Sequence, residues 1–121
     1  MNNIATFEQA KKLKNIGFNA EVHRYFLYER LISSDDYNYN GINEIHCSAP
    51  TVSEALDFIR EKGTVCYVDV VYNVINKKAM YLGKILSESG LIIQKKTSEL
   101  DTHPLAESAL LDAVLTYLEK K

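Results

Sequence analysis

At 121 residues, 46% hydrophobic and 25% charged, the chain has the composition of one globular domain and not of a disordered segment. Fourteen basic against sixteen acidic residues leave a formal net charge of −2, which argues against a protein that lives on nucleic-acid phosphates. No stretch reaches bilayer-spanning length, residues 1–6 carry neither a charged leader nor an apolar run, and Cys47 and Cys66 form no C-x-x-C pair, so the expectation is one cytoplasmic domain over residues 1–121 with both thiols reduced.

Two helices announce themselves by the same punctuation. Thr6-Phe7-Glu8-Gln9-Ala10 opens a segment that stops at Gly17, and Thr51-Val52-Ser53-Glu54-Ala55 opens one that stops at Gly63. Each threonine is placed to accept the N–H three residues on, while Gln9 or Glu54 reaches back to the threonine's own N–H. Each glycine supplies the left-handed residue after the last turn. The first helix, over 7–16, lines up Phe7, Ala10, Leu13 and Ile16 and leaves Lys11, Lys12 and Lys14 mostly off that face.

Residues 20–32 are rich in β-formers (Val22, Tyr25, Phe26, Tyr28, Ile32) and read as one strand with no clear inward phase. Residues 33–41 read as a polar, aromatic loop ending in the turn pair Asn40-Gly41, and 42–47 as a short returning strand. The second helix carries Val52, Ala55, Leu56 and Ile59.

Residues 64–75 form the clearest strand. Cys66, Val68, Val70, Tyr72 and Val74 give one wholly apolar face and the other is half apolar, a pattern that belongs inside a sheet. A turn at 76–78 brings 79–86 back antiparallel, with Gly83 as a bulge position, and 87–90 turns into a further strand at 91–94. The last helix starts near Thr102 to Pro104 and runs to about Leu118. Its main apolar face is Ala106, Ala109, Leu110, Ala113, Val114 and Tyr117, and Leu111, Leu115 and Leu118 carry that face far around the cylinder. An arc this wide exceeds what one sheet covers and calls for a neighbouring helix or another chain. The fold class is therefore α+β: a mostly antiparallel sheet of four to five strands against three helices, in the order α-β-β-α-β-β-β-α.

Few residues point to chemistry. His46-Cys47 is the one place where a nucleophile adjoins a histidine, but strand neighbours point to opposite faces. His23, His46 and His103 lack metal-ligand spacing. Asp69 interrupts the best strand and reads either as a perturbed functional acid or, more simply, as a solvent-facing one. The five glycines never cluster as a phosphate-binding loop. No catalytic, cofactor-binding or metal set is assigned. Eight tyrosines stand out: Tyr37 and Tyr39 share a loop with Asn38 and Asn40, a mixture suited to contact surfaces, against the simpler reading of tyrosines covering a sheet rim.

Tyr37-Asn38-Tyr39-Asn40, Cys47-Ser48-Ala49-Pro50-Thr51 and Glu107-Ser108-Ala109-Leu110-Leu111-Asp112 follow the opening pattern Glu8-Gln9-Ala10-Lys11-x-Leu13-Lys14-x-x-Gly17-Phe18 in order, and together span most of the chain. In that order they resemble a family of small uncharacterised proteins of Bacteroidetes-type gut bacteria and their prophages or mobile elements. Those relatives often carry a tryptophan in the second helix, where Phe58 or its neighbours stand here. The resemblance brings no activity, cofactor or catalytic residue. It implies an intracellular accessory protein of a bacterium or its mobile element.

The functional expectation is a non-enzymatic interaction module with a protein partner or a second copy of itself, using Leu111 and Leu115 as its main surface and Tyr37 and Tyr39 as a second patch. No membrane or small-molecule partner is evident in the sequence. A nucleic-acid-associated accessory protein using Lys11, Lys12 and Lys14 is the alternative, and a small enzyme with a site around Asp69, His46 and Cys47 is the third reading.

Overall fold

The computed structural model describes residues 3–42, 44–75, 77–86, 92–93 and 102–119. Three α-helices and antiparallel strands make an α+β fold. The elements in order are α1 (Phe7–Asn15), β1 (Val22–Leu27), β2 (Arg30–Tyr37), a 3-10 turn (Tyr39–Gly41), β3 (His46–Ser48), α2 (Val52–Glu61), β4 (Val65–Asn73), β5 (Lys78–Leu86), β6 (Ile92–Ile93) and α3 (His103–Glu119). The strands divide into two three-stranded sheets, β2-β1-β3 and β4-β5-β6, and every pairing within them is antiparallel. The chain divides into two compact units, Met1–Ala55 and Leu56–Lys121.

Both capping signatures are realised in full. Thr6 Oγ1 accepts the Gln9 N–H at 3.2 Å and Gln9 Oε1 accepts the Thr6 N–H at 2.9 Å. Thr51 and Glu54 repeat the exchange at 3.1 and 2.9 Å. The exits match as well. At the end of α1, Gly17 and Phe18 donate to the carbonyls of Lys14 and Leu13, and after α2, Gly63 and Thr64 donate to Arg60 and Ile59. Gly17 (φ 92°) and Gly63 (φ 102°) hold the left-handed position that this double hydrogen bond requires.

In the first unit, residues 20–32 do not run as one strand. The chain reverses at Tyr28-Glu29, so that Leu27 pairs with Arg30 and Phe26 with Leu31. The β-formers on either side carry no phase because they belong to two strands, and the turn itself holds no glycine, proline or asparagine to mark it. Residues 33–37, expected in a loop, complete β2. Phe26 and Cys47, directly opposed across β1 and β3, face α1 and join Ala10 and Ala49 in a buried cluster, with Ile4 and Phe7 packed against it. The Phe7 and Phe26 rings meet edge-on at 5.5 Å. On the opposite face Tyr25 stacks on Tyr39 at 4.3 Å and lies 5.3 Å from His46.

In the second unit, β4 and β5 pair without interruption from Val65↔Leu86 to Asn73↔Lys78. Gly83, opposite Val68, is therefore no bulge. Its missing side chain is explained by α3 instead: a Cβ there would lie 3.0 Å from Leu110 Cβ and 3.2 Å from its Cδ1. Contrary to the expectation from its apolar pattern, β4 is the outer strand of its sheet among the described residues. Only the Cys66 end of its apolar face is deeply buried; Val70 and Tyr72 stand 57% and 64% exposed. The helix α3 starts where expected, with Thr102 Oγ1 accepting the Leu105 N–H at 3.3 Å. The expected turn and strand at 87–94 fall outside the described residues except for Ile92 and Ile93, which pair with Leu86 and Ile85.

Candidate functional site

Within the wide arc of α3, the two leucines expected at an interface are covered by the chain itself. Leu111 and Leu115, expected at an interaction surface, are both 0% exposed, as buried as Leu110 and Val114 beside them. Of the second expected patch, Tyr37 is exposed, but Tyr39 is buried. Its hydroxyl donates to the Asp35 carbonyl, and its ring is held by Tyr25 and Tyr37. Tyr39 is a structural tyrosine of the sheet face.

Among the residues considered for catalysis, the neighbouring His46 and Cys47 do not face each other. His46 and Cys47 point to opposite faces of β3, as neighbours on a strand must. Burial pushes the Cys47 thiol above its ordinary pKa, against the opposing pull of Lys14 and Lys11, so the thiolate that nucleophilic chemistry needs is disfavoured. Asp69, in the second unit, is half-exposed and bonds Lys84 Nζ at 2.8 Å, while its other oxygen accepts the Val70 N–H at 2.9 Å. The Lys84 hydrogen bond and charge hold its carboxyl below the usual range. His23 pairs with Asp36, and His103 with Glu107 at 3.4 Å. Among the described residues, no three His, Cys, Asp or Glu side chains cluster as a metal site.

Lys11 and Lys14 of α1 are engaged within their own unit. Lys11 pairs with Glu8 at 3.2 Å and lies 4.9 Å above the Phe7 ring. Lys14 Nζ donates to the His46 carbonyl at 2.7 Å.

Two features remain as candidates. One, in the second unit, is the outer edge of β4 and the tip that follows it, where Val70, Tyr72, Val74 and Ile75 are exposed, the last at 92%. Large β-branched and aromatic side chains on an outer strand make a ready surface for another strand. The sequence carried this signal as an alternation of apolar residues, but the same alternation also describes a strand buried within a sheet.

The other, in the first unit, is a cavity of about 390 Å³. Phe7, Lys11 and Lys14 line one wall at the i, i+4, i+7 spacing of α1, with Asn15 at its end. Tyr28, Glu44 and Ile45 form the other side, and Cys47 lies at the floor. Sequence reasoning missed it because its walls come from separated segments.

Among the described residues, no helix is long and apolar enough to cross a membrane. No family model, curated protein or solved structure matches the chain.

Proposed function

We propose that the chain is a non-enzymatic protein-interaction module that self-associates by pairing the outer edge of β4 with the same edge of a second copy. The supporting observation is the exposure of Val70, Tyr72, Val74 and Ile75 along and beyond a nine-residue strand whose described partner lies on one side only. A two-fold interface must be its own complement. An apolar β-edge meets that condition, whereas a charged edge would require a partner of opposite sign.

Asp69 selects the register. Pairing centred on Asp69 would set two carboxylates against each other, and like charges directly opposed destabilise a strand pair. Centring on Val70 sets Val70 against its own copy and Val68 against Tyr72, with Asp69 opposite Val71. A charge in mid-edge also keeps the strand from pairing indiscriminately. The reading fits the resemblance to small accessory proteins of bacteria and their mobile elements, and an intracellular setting.

Light scattering on a size-exclusion column tests it. The full chain should run as a dimer that dissociates on dilution, and Val70→Lys with Tyr72→Glu should give a folded monomer. Under mild oxidation a Val70→Cys chain should form a disulfide-linked dimer through the substituted position. A parent chain that stays monomeric at high concentration, or a double variant that still dimerises, overturns the reading.

A further inference from the structure

We propose that the cavity between α1 and β3 binds a small amphipathic monocarboxylate, an apolar body ending in one carboxylate group. This site is independent of the β4 edge. Its volume of about 390 Å³ falls in the range of small-molecule pockets, which are typically apolar with a few converging polar groups. The apolar part is supplied by the Phe7 ring, Ile45 and the Cys47 thiol, with the Tyr28 ring at the side.

Charge sets the head group. Two ammoniums and one carboxylate line the walls: Lys11, Lys14 and Glu44. Glu8, which pairs with Lys11 at 3.2 Å, stands outside the lining with its side chain 71% exposed, and an ion pair so open to water is weak enough for a ligand carboxylate to displace. Within the lining the balance favours a single negative charge, and Glu44 disfavours a diacid. The ammoniums reach the floor electrostatically, since both Lys14 and Lys11 pull the Cys47 thiol downward. Lys14 is fixed in place by its hydrogen bond to the His46 carbonyl. Its charge is thereby held at the cavity wall, where it attracts a ligand carboxylate.

Tyr28 frames the cavity from the hairpin turn. It sits at φ 55° in the two-residue turn between β1 and β2, a conformation unfavourable for a bulky residue that carries a Cβ. Its side chain is not held there by burial, because Tyr28 is 65% exposed. The turn is tied to Ile45 on the same side of the cavity, the Tyr28 N–H donating to the Ile45 carbonyl at 3.4 Å. A two-residue hairpin turn needs positive φ at its first position, and here that turn sets an aromatic ring beside the cavity.

The test is a titration of the ¹⁵N-labelled chain with octanoate, followed by amide shifts, with n-octanol as the uncharged control. Octanoate should give saturable shifts centred on Phe7, Lys11, Lys14, Tyr28, Ile45 and Cys47. Lys11→Gln should weaken octanoate roughly fivefold, the scale of one partly exposed ion pair, and leave octanol unchanged. Glu44→Gln, at an exposed position, should tighten it by a similar factor. Lack of saturable shifts at about 10 mM octanoate, beyond even millimolar affinity, overturns the proposal. So do shifts centred elsewhere, octanol binding as tightly as octanoate, or Glu44→Gln leaving octanoate affinity unchanged.

Discussion

Asn40 and Ser48 hold each other by a reciprocal pair of hydrogen bonds: the Asn40 N–H donates to Ser48 Oγ at 3.1 Å, and the Ser48 N–H donates to Asn40 Oδ1 at 2.8 Å. The second polar atom of the same amide, Nδ2, donates to the Phe18 carbonyl at 2.9 Å. One side chain thus ties the 3-10 turn to β3 and to the segment leaving α1. Ser48 is fully buried, so each lost bond leaves a polar group without water. Asn40→Ala should destabilise the fold by about 2–3 kcal/mol, measured by urea denaturation. Asn40→Asp should cost a similar amount, because it removes the donor to Phe18 and aims a carboxylate at a carbonyl.

The burial of Leu111 separates folding from association. Leu111→Ala should cost about 2–5 kcal/mol through lost contacts and a residual cavity. At concentrations where the variant is folded, its mass by light scattering should equal the parent's. A stable Leu111→Ala chain with altered mass would return this leucine to an interface.

Much of this was readable in the chain, and the division follows physical range. Helix ends are written by residues within one turn of each other, so Thr6, Gln9, Gly17, Thr51, Glu54 and Gly63 could be assigned roles that the structure bears out. Strand neighbours are not local. The β1–β2 reversal at Tyr28-Glu29 is invisible because tyrosine at positive φ is not a turn signal. The outer position of β4 depends on which strand lies beside it, and its own residues do not encode that. The cover over Leu111 and Leu115 is likewise supplied by residues that no helical wheel contains. The cavity beside Cys47 combines α1 with segments distant from it in sequence, so Lys11, Lys14 and Cys47 were legible only as separate features.

Gly83 is a packing glycine. Its φ lies outside the left-handed region, and the three nearest atoms that a Cβ would meet all belong to Leu110. Gly83→Ala should lower stability by about 1–3 kcal/mol, because the new methyl meets a Cβ that cannot rotate away. Pairing it with Leu110→Ala should recover part of the loss. A double variant whose loss is simply additive would show that the two positions do not share this contact.

The Asp69–Lys84 pair predicts the acid limb of stability. Because the Lys84 hydrogen bond lowers the carboxyl in the folded chain, the folded state binds this proton less readily than the unfolded state. The stabilisation is present above the unfolded value and is lost as pH falls through the folded one, in the region below about pH 4. Lys84 is raised in turn by Asp69, so its contribution is present in the neutral range and is lost only as pH climbs through the lysine range. Urea midpoints between about pH 6 and pH 3 should fall less steeply for Asp69→Asn than for the parent. Equal slopes would mean that the pair is already open in solution.

The doubled helix punctuation bears on how the chain finds its fold. A capping box and a glycine exit are complete within about a dozen residues, so α1 and α2 can begin and end before any distant contact exists. The β4–β5 hairpin closes over a similarly short span. The slow part of assembly is then left to the few contacts of long sequence separation: β3 reaching back to β1, Asn40 reaching Phe18, and Leu110 descending onto Gly83. Rates in such chains are set by closing those distant pairs and not by forming helices.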